Sequence, residues 1–249
     1  MPDTPDPQNV YDDPEFFAGY STMERFGDGW VHAAERPDFL RLLPGAAGLR
    51  VLDLGCGAGQ LSRYLADAGA AEVIGVDVSE RMLEVARTQY AHPRVTYRRD
   101  AIERLDYPAA RFDLVVSSLA LHYVADYAAL AGDVARWLTP GGVLVFSTEH
   151  PLYTARGSEE GWVDDADGQR AGWLIDGYSE EGLREHRWFV EGVRKYHRTL
   201  GTLINGLVDA GLVVDRVIEP VGEAWLQQHP EAADERRRPV FILIRARRP

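Results

Sequence analysis

The chain reads as an α/β domain on a doubly wound, seven-stranded sheet, mostly parallel with an antiparallel C-terminal strand, plus a small cap insertion. Three observations predict this. Short apolar runs alternate with amphipathic segments from residue 50 onward, the pattern of strands buried on both faces and joined by crossover helices. The first apolar run, residues 50–54, ends in Gly55, Gly57 and Gly59. Residues 150–198 then break the alternation and concentrate Tyr153, Trp162, Trp173, Tyr178 and Trp188.

Taken in order, residues 1–9 hold Pro2, Pro5 and Pro7 among polar neighbours, too little apolar surface to order a segment, and are expected as a flexible tail. Residues 10–249 form a single domain. Phe16, Tyr20 and Met23 follow helical spacing, Gly27-Asp28-Gly29 breaks it, and a second short helix is expected near 37–43, so 10–45 is read as a helical lid. The strand at 50–54 leads to a helix over 61–68. A second strand follows at 73–76, and Ser79 with Glu80 opens a helix whose apolar face carries Met82, Val85 and Ala86. Strands three and four fall at 95–97 and 112–117. Tyr127, Leu130, Val134 and Trp137 mark a helix, and Pro140-Gly141-Gly142 turns into strand five at 143–147. Within 150–198, Asp167-Gly168 is a turn signal between Trp162-Val163 and Trp173-Leu174-Ile175, and 188–196 reads as extended, so an antiparallel substrate cap over the strand ends is expected. Leu200, Leu203, Ile204, Leu207 and Val208 give an amphipathic helix closed by Gly211, with final strands at 212–217 and 240–244.

Composition narrows the function. The 249 residues are 45% hydrophobic and 27% charged, within the globular range. A net charge of -12 opposes phosphodiester backbones, which excludes nucleic acid as the expected partner. The run Arg236–Arg238 is the local exception and is expected to be a solvated strand entrance. No apolar stretch approaches the roughly 20 residues needed to cross a bilayer. The N-terminus lacks a signal-peptide pattern, and the single cysteine, Cys56, excludes an intramolecular disulfide, so a cytoplasmic protein is expected, and its assembly is expected as a monomer or homodimer without a residue pattern to choose between them.

The glycine turn at 55–59 lets backbone approach a ligand closely, as a nucleotide-like group requires. Asp77 ends the second strand, where a carboxylate can accept hydrogen bonds from both hydroxyls of a ribose. Asp100, followed by Ala101 and Ile102, ends the third strand, where an acceptor and an apolar neighbour could read an adenine edge and cover its face. A dinucleotide needs G-x-G-x-x-G, but here Gln60 or Ser62 occupies the third place in either frame, and Arg63 is the sole nearby cation.

The ordered set VLDLGCGAG, EVIGVDVSERMLEVAR, RRDAIERL, FDLVVSSLALHYV and LTPGGVLVFS, across residues 50–148, resembles the class I S-adenosylmethionine-dependent methyltransferases, in particular the small-molecule branch of the quinone-biosynthesis enzymes. The resemblance implies a Rossmann-like sheet, S-adenosyl-L-methionine as cofactor and S-adenosyl-L-homocysteine as product. It implies that Asp53 and the glycine loop hold the methionine part, Asp77 the ribose, Met82 and Ile102 the adenine faces, and Asp100 the adenine amino group; Cys56, a small residue that fits the loop, Val78 and Ala101 are expected in the same cofactor site. Ser117 would place its backbone near the methionine ammonium, and Tyr20 would close over the sulfonium.

Methyl transfer is an in-line displacement that needs alignment and exclusion of water, and no metal. A hydroxyl acceptor is helped by a base near neutrality, for which histidine is suited. His122 after strand four, His150 after strand five and His197 at the end of the cap are the candidates, and Glu149 could orient an imidazole, although neighbours on a strand point to opposite faces. Tyr196 and Arg198 are candidates for a carboxylate or phenol. The expected activity is methyl transfer to oxygen, before nitrogen or carbon, of a small acceptor, with the cap's aromatic residues favouring a flat one. The alternative is a protein of the same fold that uses the cofactor without transferring its methyl, or as a regulatory ligand.

Overall fold

The computed structural model describes residues 6–156 and 161–249. After a 3₁₀ turn at Val10–Asp12, helix α1 (Pro14–Tyr20) starts where Asp13 accepts the backbone N–H groups of Glu15 and Phe16, with Pro14 pre-set at the first helical position. Helix α2 (Arg36–Leu42) precedes the sheet. There follow β1 (Arg50–Leu54), α3 (Gln60–Asp67), β2 (Glu72–Asp77), α4 (Glu80–Gln89), β3 (Val95–Arg99), β4 (Phe112–Ser118), α5 (Tyr127–Trp137) and β5 (Leu138–Glu149). A short α6 (Pro151–Thr154) leads into the hairpin β6 (Trp162–Asp164) and β7 (Arg170–Trp173), then the hairpin β8 (Gly182–Trp188) and β9 (Val190–His197). Helix α7 (Leu200–Asp209), β10 (Val213–Ile218), α8 (Glu223–Gln228) and β11 (Phe241–Arg247) complete the order.

The sheet runs β10-β11-β5-β4-β1-β2-β3, with β11 antiparallel to both of its neighbours and the other pairs parallel. Successive residues of β1 bury to opposite sides: Leu52 packs with Val115, Phe146 and Trp137, and Val51 with Leu114, Val145 and Phe39. This is why the central strands read as unbroken apolar runs. Chain order reverses beside β1, with β2 and β3 on one side and β4 and β5 on the other, and the crevice beyond the carboxyl ends at such a reversal is where open α/β sheets bind ligands. β5 begins before the turn expected at Pro140-Gly141-Gly142: Leu138 pairs with Phe112, and the register then shifts so that the turn is absorbed within the strand.

Two expectations need revision. Of the nine-residue tail, residues 1–5 lie outside the described residues, whereas Gln8 exchanges hydrogen bonds with the backbone N–H and C=O of Arg194 on β9, and Asp6 pairs with Arg104. The Arg236–Arg238 run is not a solvated entrance at its end. Arg238 is buried, paired with Glu235 at 2.7 Å, and stacked 4.1 Å from the centre of the Trp173 ring, because the cap offers it aromatic faces.

The lid and the cap meet. Phe16 of α1 packs edge-on to Trp188 and Phe189 at the tip of the β8–β9 hairpin, at 5.1 and 5.6 Å, and Tyr20 packs on Trp188 at 5.9 Å. A Cβ on Gly19 would stand 2.4 Å from the Phe189 ring, so this glycine permits the approach. Together they roof the strand ends. Among the described residues no helix is long and apolar enough to cross a membrane, and no cluster of three or more His, Cys, Asp or Glu side chains is placed to hold a metal ion.

Candidate active site

A cavity of about 410 Å³ lies over the carboxyl ends of the strands, floored by the β1, β2 and β4 termini and walled by α1 and the β8–β9 hairpin. Its sheet-edge half contains Tyr20, Asp53, Gly55, Cys56, Gly57, Asp77, Val78, Met82, Asp100, Ala101 and Ile102, so most of the cofactor residues expected from sequence line one space.

Gly57 and Gly59 divide the work of the turn. Both have positive φ, 54° and 89°, but a Cβ on Gly57 would enter open space, whereas one on Gly59 would lie 2.5 Å from the Tyr97 hydroxyl and 2.9 Å from Ala86. Gly59 therefore serves the packing of α4 and β3 against the loop and does not line the cavity. Asp77 braces the turn, with one oxygen accepting from Gly57 N–H at 2.8 Å and the other from Ser79 N–H at 2.9 Å. Burial raises its pKa, and those two backbone donors oppose the rise. Asp53 accepts a 2.6 Å bond from Ser62, and burial, opposed by that bond and by Arg36, pushes its carboxyl up to about 7. Cys56 lines the cavity as a small residue whose thiol is pushed up by burial and by Asp77 and Asp53, the opposite of the electropositive setting that a reactive thiolate needs.

The structure adds a cation that the sequence reading missed. Arg36 is buried and lines the cavity, donates from Nη2 to Ser118 at 3.0 Å, and leaves Nε and Nη1 without a partner among the described residues. Open space at Gly57, a carboxylate at Asp77 and unfilled guanidinium donors at Arg36 fit a ligand with a ribose at one end and a carboxylate at the other. Ser117 does not line the cavity: its hydroxyl is turned down to the Leu54 carbonyl at 2.8 Å, and Ser118, Leu119 and Ala120 take the lining position.

Residues 51–142 match a family described as a methyltransferase domain. A solved S-adenosylmethionine-dependent methyltransferase from Mesorhizobium loti superposes with a TM-score of 0.81 at 46% identity, covering 87% of this chain and 98% of that one. The chain belongs to the S-adenosylmethionine-dependent methyltransferases. The methyltransferase is also 34% identical over 246 residues to an uncharacterised protein of Haemophilus influenzae, covering 96% and 97% of the two chains. It is 34% identical over 173 residues to a ubiquinone biosynthesis O-methyltransferase of Coxiella burnetii, covering 63% of this chain and 72% of that one. It is an enzyme, and its cofactor is S-adenosylmethionine.

Of the three histidines, the structure brings one to the cavity. His122 lines it, with Nδ1 3.3 Å from the Thr148 hydroxyl and Nε2 without a hydrogen-bond partner among the described residues. Burial lowers its pKa to about 4, against the pull of Glu149, so the ring is neutral at physiological pH. His150 is turned away: Nδ1 accepts the Leu152 N–H that starts α6, and Nε2 pairs with Glu219 at 2.8 Å. His197 is also away from the cavity, pinned between Thr154 at 2.7 Å and the Tyr178 carbonyl at 2.8 Å. Both are corrected from candidate bases to groups that hold the cap. Arg198, expected either to bind a ligand or to be a surface pair, instead donates to the carbonyls of Leu121, Val124 and Ala125 and fixes the turn that carries His122.

Strand alternation explains the exchange. With His150 facing outward, Glu149 faces the cavity and pairs with Lys195 at 2.5 Å, the two side chains 11% and 5% exposed. Burial alone would raise the Glu149 carboxyl, but Lys195, His122 and Arg156 hold it down to about 2. Lys195, the chain's sole lysine, also sits 4.7 Å from the centre of the Trp188 ring. Its rarity was the available sequence signal.

Proposed function

We propose that this methyltransferase acts on a small molecule and that oxygen is the atom methylated. The observation that carries the reading is continuity: the cavity that holds Asp77 and Gly57 extends, under the lid and cap, to His122, Glu149 and Lys195. The aromatic wall of Tyr20 and Trp188, with Phe16 packed behind Trp188, favours a metabolite over an extended polymer, since an aromatic pocket excludes bulk and water together. The Coxiella relative is a ubiquinone biosynthesis O-methyltransferase, which supports oxygen.

In this reading Asp77 binds the ribose, Arg36 the carboxylate of the amino-acid part, and Met82 and Ile102 cover the adenine. Asp100, beside Ala101, meets the adenine edge. When bound, S-adenosylmethionine supplies an electrophilic methyl carbon. The residues on the acceptor side chiefly orient the nucleophile and exclude water. When Nδ1–H of His122 donates to Thr148, Nε2 is left as an acceptor for a hydroxyl proton, and its low basicity suits a hydroxyl that is itself acidic.

Methyl-labelled S-adenosylmethionine incubated with the enzyme and a metabolite extract tests this. Label should pass to low-molecular-weight material with equal release of S-adenosylhomocysteine. Label in protein, or cofactor bound without methyl loss, would overturn it, the latter in favour of a non-methylating use.

A further inference from the structure

Among the described residues, the charges around the acceptor half of the cavity do not cancel. Lys195 and Glu149 neutralise each other at 2.5 Å, Arg25 is paired with buried Glu35 at 3.2 Å, and Arg187 at the rim is paired with Glu191 at 3.3 Å. Arg156, which follows α6 and lines the same cavity, has no carboxylate partner among the described residues. Its Nε is buried without a hydrogen-bond partner, and its guanidinium carbon stands 5.0 Å from the centre of the Tyr153 ring, which also lines the cavity. A buried N–H left unpaired is costly, so the site is incomplete as it stands.

We propose that the acceptor is an anionic small molecule whose carboxylate is held by Arg156, with the Lys195 ammonium as a second donor facing the same space. The inference rests on the small-molecule reading above and narrows it to one class, hydroxy acids with a flat apolar body. Arg156 offers a planar fork matched to two carboxylate oxygens, and the Tyr153 ring behind it limits where that fork can turn. Trp188 does the same for Lys195. Glu149 is already committed to Lys195, so among the described residues one positive charge on this wall stays uncompensated. Two imidazoles sense the same field. His186 is held down to about 4 by burial and by Arg156 and Lys195, and His122 is lowered by burial and, against Glu149, by Lys195, Arg198 and Arg25. Carboxylate binding would compensate this wall while leaving the acceptor's hydroxyl free to face His122.

The test is a titration of the full-length protein saturated with S-adenosylhomocysteine, following heat and tryptophan fluorescence. Salicylate and benzoate are compared with their neutral isosteres salicylamide and benzamide. The acids should bind at least tenfold more tightly than the amides. Arg156→Gln should abolish that preference and Arg156→Lys, which keeps the charge without the planar fork, should retain only part of it, while affinity for S-adenosylhomocysteine stays within twofold in both variants and reports that each is folded. Equal binding of acids and amides, no binding of either acid, or a preference that survives Arg156→Gln overturns the proposal. Failure of the parent protein to bind S-adenosylhomocysteine overturns the functional reading beneath it, and is seen in a separate titration before any acid is added.

Discussion

The two halves of the cavity are assembled differently. At the sheet edge, Asp53, Gly57 and Asp77 come from two neighbouring parallel strands and the turn between strand and helix, and backbone hydrogen bonds fix their positions. On the cap side, Glu149, Arg156, Lys195 and Trp188 come from the end of β5, the residues after α6 and the β8–β9 hairpin, and are fixed by charge pairing and ring packing. The first half is a local consequence of strand and turn geometry and, in the proposed reading, recognises a constant cofactor. The second is non-local and is free to differ from one acceptor to another.

The largest effect is expected at the ion pair. Lys195→Met leaves the Glu149 carboxylate buried without its partner, so denaturant unfolding should show a loss of about 3–5 kcal/mol. The double variant Lys195→Met, Glu149→Leu should recover much of it. An unchanged single variant would mean that the cap side is not held by this pair. Next, Asp77→Ala should weaken S-adenosylhomocysteine at least about a hundredfold by calorimetry, because two hydrogen bonds to a charged group are lost together with the brace on Gly57. Unchanged affinity would remove the sheet edge from cofactor binding.

The histidines sharpen the contrast. His122→Ala should lower turnover about tenfold or more, the scale of a positioned acid–base group, with cofactor affinity kept. His150→Ala should change turnover less than twofold and cost about 1 kcal/mol through the lost cap on α6. The reverse ranking would restore His150 to the site. The ion pair also has a signature in pH. The Glu149 carboxyl is held down to about 2 in the folded protein against an ordinary value of 4.5, so its contribution to stability is present above that ordinary value and is lost as pH falls towards 2. Thermal unfolding should follow that slope, and Glu149→Gln should remove it.

The sheet was legible because its information is local. The unbroken buried run of β1, the Ser79 cap of α4 and the glycine turn each occupy a few adjacent residues. The same locality made Asp77 and Gly57 readable, and it misled at Gly59, where the glycine answers to Tyr97, distant in sequence. The cap side was harder, since strand-end position marked all three histidines alike. Only their partners, Thr148 for one, Glu219 and Leu152 for the second, Thr154 and Tyr178 for the third, separate them. Alternation along β5 did contain the answer for Glu149 and His150, one inward and one outward. Arg36 and Arg156 gave no such signal, for an arginine's role depends on whether a carboxylate reaches it.

A crystal structure with S-adenosylhomocysteine bound tests the shared cavity most directly. The ribose should lie within hydrogen-bond distance of Asp77, the amino-acid carboxylate against Arg36, and the sulfur should face the space bounded by His122, Glu149 and Lys195. A sulfur turned away from that space, or a nucleoside bound elsewhere on the chain, would contradict the account.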